Sequence, residues 1–387
     1  MIKLTQYGDY FYLYILLLSL IPAIVLGIKG KNIKPYGILL SIFMVGVIIG
    51  VKSVGIVLFI MFLLGEIILI NSYLEIRDRT DNKFIYYLAL FLSMLPIIIT
   101  KVSAKSSFGP IGFIGLSYLN FKAIQIIIEI YDGTIKEIKF STLVYFIIFF
   151  PTLSSGPIDR YRRFEENLNT KIEKEDYINN YLFEGLKKII KGIGYKFVIA
   201  YIINTLWMSK IPTDITFLNS LNYMYAYSLY LFFDFAGYSS FAVGTSYIIG
   251  IKTPENFNKP FLSKDMKEFW TRWHISLSRW FGDYLYSRIL LNSMRKKRFK
   301  DRFRASHFAQ MITMLTMGVW HGLEVFYIIY GIYQGSVLVL TDIVQRKSKF
   351  YKKHKKEKWF QRVQILINFH VACFGLLLFS GYLFTHK

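Results

Sequence analysis

Long apolar runs alternate with short polar connections along this chain, and that pattern constrains its fold more than any motif does. Mostly apolar stretches occupy residues 10–28, 36–50, 54–73, 84–100, 141–151, 189–207, 218–235, 237–251, 308–340 and 363–384. A helix needs about 20 such residues to cross roughly 30 Å of hydrocarbon. One run could be a buried helix of a soluble protein, but ten cannot. The pattern predicts an all-α, polytopic membrane protein with roughly ten or eleven crossings. No internal repeat or second domain is legible, so residues 1–387 are expected to form one membrane domain. The run at 10–28 does not read as a cleaved signal, because no small-residue cleavage site follows it and further spans come after.

The stretch 308–341 holds one formal charge, Glu324. As one helix it would reach about 51 Å, too long for a single crossing. Gly318 and Gly322 flank an expected break near Trp320 and His321. Broken helices at membrane depth are tolerated where they line a cavity or are buried in protein. Two other stretches make poor spans. Residues 108–130 contain Gly109, Pro110, Gly112 and Gly115, then Asn120, Lys122 and Glu129. Residues 151–159 read PTLSSGPID. Re-entrant or interfacial elements are expected there, followed by a short solvent-side helix pair over 159–181. Lys122, Glu129 and Asp132 are expected to form a structural charge network.

Charge separates this chain from a nucleic-acid binder. The net charge is +22, yet 54% of residues are hydrophobic. Residues 295–304 carry seven basic residues and one acidic one, and residues 346–358 carry eight and one. Both clusters are expected on the cytoplasmic side. Lys29, Lys31 and Lys34 follow the first run while Lys3 precedes it, which argues for an outside N-terminus. The lone Cys373 has no partner for an internal disulfide and reads as a small buried hydrophobe.

Ionisable groups inside apolar runs are costly and therefore functional candidates. His321, in MGVWHGL, is the foremost. Its imidazole titrates near neutrality and can act as a general base. The alternative is a buried histidine bonded to a backbone carbonyl. His274 lies in FWTRWHISLSRWF at 269–281. Read as one helix, Trp270, Trp273, His274, Leu277, Phe281 and Tyr284 share a face, while Arg272, Ser276, Arg279 and Asp283 lie opposite. Such a helix suits a membrane interface, with Arg272 and Arg279 at headgroups. Asp234, flanked by apolar residues, requires a cationic partner or orients a histidine. No GxSxG, GxxxxGK, GxGxxG or HExxH occurs, and one His321–Glu324 pair cannot build a dinuclear metal site. Gly331 and Gly335 form a GxxxG that suits helix packing.

FWTRWHISLSRW at 269–280 and MGVWHG at 317–322 together resemble the membrane-bound O-acyltransferases. FFDFAGYSSFAVG at 232–244, GIKTPENFNKPF at 250–261, GLSYLNFKAIQIIIEIYDG at 115–133 and FFPTLSSGPIDRYRRF at 149–164 extend the resemblance to most of the chain. It lies towards the teichoic acid D-alanyltransferase branch of Gram-positive bacteria, and longer alginate O-acetyltransferases share the core motifs. The resemblance implies a fold of membrane, re-entrant and interfacial helices around a central tunnel. It implies a catalytic tunnel histidine at His321 and a second at His274, with Asp234, Trp320 and Arg272 in support and no metal.

It further implies a D-alanyl donor held as a thioester on the phosphopantetheine of an acidic, DltC-like carrier protein, with no cofactor bound to the chain itself. The acceptor is lipoteichoic acid. A DltD-like membrane protein, a small membrane peptide and membrane lipids are the implied partners, and the plasma membrane of a Gram-positive bacterium is the implied location. Nucleic acid is not expected as a partner. Arg295, Lys296 and Arg298, beside an apolar stripe of Leu285, Ile289, Leu290 and Met294, are expected to dock the carrier. The cluster at 346–358 is expected to fix topology. An acetyltransferase of an extracellular polysaccharide and a transporter or flippase are the competing functions.

Overall fold

In a computed structural model, residues 4–51, 53–107 and 109–385 are described. Lys3 and Phe108, named above, lie outside the described residues. The chain falls into two compact units, Met1–Ile193 with Gly237–Pro254 and Gly194–Ala236 with Glu255–Lys387.

The first unit begins with helices α1 (Tyr10–Ile28), α2 (Lys34–Ile49), α3 (Val54–Arg79), α4 (Lys83–Ser103), α5 (Leu116–Tyr131), α6 (Phe140–Ile148) and α7 (Tyr161–Asn169). A 37-residue helix, Lys174–Lys210, follows. Its α-helical turns α8 (Lys174–Asp176) and α9 (Phe183–Gly192) alternate with wider π-helical turns. It takes in the second half of the helix pair expected over 159–181. Within this unit α5 is buried on nearly every side. Its polar residues are tolerated there because distant backbone and side chains satisfy them. Lys122 donates to the Phe146 carbonyl at 3.1 Å, Gln125 donates to the Asp159 carbonyl at 2.8 Å, and Glu129 pairs with Arg162 at 3.0 Å. Lys122 is thus met by a backbone carbonyl and Glu129 by a guanidinium.

Next comes α10 (Phe217–Ile248). The runs at 218–235 and 237–251, expected as two elements, form this one 32-residue helix. Gly237 does not interrupt it, because glycine mid-helix costs only about 1 kcal/mol. The second unit continues with α11 (Met266–Arg272), α12 (Ile275–Phe281), α13 (Ser287–Arg295), α14 (Arg302–His321), α15 (Val325–Lys347), α16 (Lys349–His354), α17 (Lys358–Ser380) and α18 (Tyr382–Thr385). Cys373 is buried with Met224, Leu377 and Tyr382. The Asp342 carboxylate, 5% exposed, gathers Lys267 at 2.5 Å, His307 at 2.9 Å and Arg346 at 2.6 Å. The Arg346 guanidinium also covers the Phe303 ring at 3.8 Å, so the second basic cluster is anchored at its first residue.

Six helices among the described residues are long and apolar enough to cross a membrane: Tyr10–Ile28, Val54–Arg79, Lys83–Ser103, Lys174–Lys210, Val325–Lys347 and Lys358–Ser380. Lys34–Ile49 is a shorter apolar helix. The count is below the ten or eleven crossings expected, for physical reasons. The run at 141–151 yields only the nine-residue α6, about 14 Å long. α10 and α14 have the length, but their Tyr, Ser, Asn and basic residues make them less apolar.

Candidate active site

The segment 269–281 is not one helix. α11 starts at Asp265, whose side chain accepts the Glu268 amide at 2.9 Å, and Arg272 pairs with Glu268 at 2.5 Å. The helix then stops at Trp273, which is extended, and His274 takes a left-handed conformation with φ 44° and ψ 52°. A positive φ is uncommon for a residue with a side chain, and such strain persists only where the surroundings enforce it.

Residues 256–258 do the enforcing. Phe257 and Trp273 form an isolated antiparallel bridge. The Asn258 amide donates to the Arg272 carbonyl at 2.9 Å, and the Ile275 amide donates to the Asn256 carbonyl at 3.0 Å. Main-chain groups that a continuous helix would pair internally are thus paired with another segment.

Trp270, Trp273 and Trp280 are buried against other side chains. Trp273 packs on Phe257 at 5.2 Å and Phe269 at 5.5 Å. His274 is 4% exposed and meets the Phe235 ring edge-on at 4.8 Å. It lies outside the six spans, and burial pushes its imidazole down to about 3. A neutral imidazole can donate a hydrogen bond from one nitrogen and accept at the other.

His321 stands where the sequence places a break. It is the last residue of α14, Gly322 continues in an extended conformation, and α15 begins at Val325. The two helices return on each other through a glycine seam. A Cβ on Gly318 would lie 2.4 Å from the Tyr327 carbonyl oxygen. One on Gly331 would lie 2.7 Å from that of Met314, and one on Gly335 would lie 2.8 Å from Met311 Sδ. Small residues permit this main-chain approach.

The seam holds the end of the hairpin, and there His321 sits among aromatic rings. Its ring lies 4.6 Å from Trp320, 4.8 Å from Phe379, 6.0 Å from Tyr327 and 6.2 Å from Tyr330. Phe379 in turn touches Tyr327 and Tyr330, each at 5.2 Å. The Trp320 ring thus lies directly beside the imidazole.

Asp234 is ion-paired with Lys196, the cationic partner its surroundings demand. Arg295, at the end of α13, and Lys296 and Arg298, just beyond it, are exposed. Only part of the expected apolar stripe accompanies them. Leu290 is buried with Ala305 and Ala309, and Ile289 packs against that cluster. Leu285 is half-buried, whereas Met294 is exposed and Leu291 joins it. Of the expected stripe, Leu290 and Ile289 pack against α14 residues, a neighbour that helical periodicity alone does not identify. Asn256, Lys196, Tyr327, Tyr330 and Phe379 escaped the sequence reading. Their contacts come from distant segments, and only the density of aromatics after His321 hinted at the ring cluster.

The family model of the membrane-bound O-acyltransferases matches residues 56–381, which include both histidines and the helices that carry them. The chain belongs to the membrane-bound O-acyltransferase family. It is an acyltransferase and a multi-pass membrane protein. This O-acyltransferase is 42% identical to the teichoic acid D-alanyltransferase of Bacillus subtilis (strain 168), over 99% of this chain and 100% of that one. It is 39% identical to the teichoic acid D-alanyltransferase of Streptococcus thermophilus, over 99% and 98%. A probable alginate O-acetylase of Pseudomonas syringae is 34% identical over 62% of this chain and 44% of its own length.

In this O-acyltransferase His274, buried, and His321, half-buried, each stand at a helix end. That is the equipment for deprotonating a hydroxyl and for hydrogen-bonding a carbonyl oxygen.

Proposed function

We propose that this enzyme transfers D-alanine from a carrier-bound thioester to a hydroxyl of lipoteichoic acid, in the plasma membrane of a Gram-positive bacterium. The observation that carries this reading is the near-complete overlap with two teichoic acid D-alanyltransferases, 99% of this chain in each case. The alginate O-acetylases, which favour an acetyl donor, overlap only about three fifths of it, 62% at most among those compared.

A thioester is already activated, so no enzyme nucleophile is required. Positioning and a base suffice. His321 takes the proton of the acceptor hydroxyl as its oxygen forms a bond to the thioester carbonyl carbon. The carbon–sulfur bond then breaks, and the proton passes from His321 to the leaving thiolate of the phosphopantetheine. His274, neutral at physiological pH, donates from an imidazole nitrogen to the carbonyl oxygen on which negative charge develops. Trp320 holds the His321 ring, and the Asp234–Lys196 and Arg272–Glu268 pairs stiffen the surrounding helices.

The exposed Arg295, Lys296 and Arg298, with Met294 and the half-buried Leu285 and Ile289, dock the acidic carrier, since complementary charge raises encounter rates. A DltD-like membrane protein and a small membrane peptide complete the system.

The test is transfer by purified protein supplied with D-alanyl carrier and lipoteichoic acid. His321→Ala abolishes ester-linked D-alanine, and His274→Ala slows its formation by about 100-fold or more, as loss of an oxyanion donor does. Full transfer by His321→Ala would sink the mechanism. Transfer of acetyl but not D-alanyl groups would sink the donor.

A further inference from the structure

One buried carboxylate meets both of the helices that lead to the histidines. Asp342, near the end of α15, receives Lys267 Nζ at 2.5 Å on Oδ1 and His307 Nε2 at 2.9 Å on Oδ2. Arg346, one turn further along α15, adds its Nε at 2.6 Å. Lys267 stands in the first turn of α11, and the chain runs on from that helix through Trp273 to His274. His307 stands in the second turn of α14, about 21 Å along the helix axis before His321. The proposed proton transfer leaves this cluster without a role.

Gln345 adds a second hold on α11. Its Oε1 accepts from Lys267 Nζ at 3.1 Å, and its Nε2 donates to Asp265 Oδ2 at 2.8 Å. The other oxygen of Asp265 caps α11 by accepting the Glu268 amide at 2.9 Å. α15 therefore grips the start of α11 at two residues, Asp265 and Lys267. α11 has only seven residues, about 10 Å, so a tilt at its start carries through to Trp273 and His274. α14 is tied to the same α15, by Asp342 near its start and by the glycine seam towards its end.

Buried ion pairs contribute little net stability over apolar packing, because desolvation offsets their attraction. What this cluster supplies is a single geometry. Donors on α11, α14 and α15 converge on two oxygens, and a slip of any one helix breaks a bond. Catalysis is sensitive to such slips, since a misplacement of about 1 Å can cost roughly 100-fold in rate.

We infer that Asp342 is a positioning residue for acyl transfer: from α15 it fixes α11 against α14, and so sets His274 relative to His321. The inference rests on the roles proposed above for the two histidines and names the residue that aligns them.

The test is a double-mutant cycle read in transfer kinetics. Asp342→Asn lowers kcat about 10- to 100-fold, while KM for the D-alanyl carrier moves less than about threefold. In a His274→Ala background the same substitution costs less than about threefold, because no second imidazole is left to align. A purely structural carboxylate would cost the same in both backgrounds. That result overturns the inference and leaves the histidine mechanism standing. An unchanged kcat in Asp342→Asn overturns it as well. Full transfer by His274→Ala removes the proposed role of His274 and this inference together. Should Asp342→Asn not fold, Gln345→Met, which removes the uncharged hold on α11, goes through the same cycle. Equal losses in the two backgrounds, or no loss in either, overturn the inference.

Discussion

The side-chain oxygen of Asn256 accepts both the amide and the hydroxyl of Ser276, at 3.2 and 2.6 Å. Both residues are buried, and the pair caps the first turn of α12 directly after the strained His274. Asn256→Ala leaves two buried donors unsatisfied, and stability should fall by about 1–3 kcal/mol. Because the same loop holds the left-handed turn, transfer activity should fall too, with Asn256→Asp milder in both. Thermal unfolding in detergent and acyl-transfer assays check this, and a fully active Asn256→Ala would detach the cap from the placement of His274.

Acid should expose the burial of His274. Its folded value, about 3, lies below the ordinary 6.5. Between those values the unfolded chain binds a proton that the folded one refuses. Stability is therefore complete above about pH 6.5 and is lost as pH falls towards 3, with a slope approaching about 1.4 kcal/mol per pH unit from this group. His274→Gln should flatten the decline. Equal slopes in the two proteins, followed by thermal midpoint, would contradict the imidazole's being held neutral.

Two glycines should respond oppositely to alanine. Gly331→Ala drives a methyl against the Met314 carbonyl oxygen and should destabilise by about 1–3 kcal/mol while lowering transfer. Gly65, in the middle of α3, has nothing within 4 Å of the added carbon. Gly65→Ala should stabilise by about 0.5–1 kcal/mol through helix propensity alone. Unfolding midpoints of the two variants decide it.

Lys196 and Asp234 are each half-buried. Lys196→Met strands the carboxylate and should destabilise by about 3 kcal/mol or somewhat less, given partial exposure. Adding Asp234→Leu should restore much of that loss. A double-mutant cycle with no coupling would mean that the pair contributes nothing.

Reversing Arg295, Lys296 and Arg298 to Glu should weaken carrier binding at least tenfold at low ionic strength, with the difference shrinking as salt rises. Binding measured by titration calorimetry across salt concentrations distinguishes this from a purely topological role, under which affinity would not move.

Lipid-facing architecture was readable from composition, because helices such as Tyr10–Ile28 and Val54–Arg79 must be apolar along most of their length. The break after His321 was readable too, since Gly322 marks it. The break at His274 was not. No glycine or proline stands there, and the acceptors and donors that hold it come from residues 256–258. α5 looked like a failed span for a related reason. Lys122 is acceptable only because the Phe146 carbonyl, 24 residues away, meets it. Local pattern reports what a segment shows to solvent or lipid, whereas these features depend on what another segment offers in return.

α14 runs from the edge of the basic loop, where Asp301 caps it, to His321 at its far end. Its 20 residues set those ends about 30 Å apart, close to the thickness of the hydrocarbon layer. Under the proposed function, recruitment and chemistry occupy opposite termini of one rod. In pharmacological terms the enzyme offers two targets. A molecule that masks the basic loop and one that plugs the ring cluster around His321 should bind at the same time, and resistance arising at one end should leave sensitivity at the other untouched.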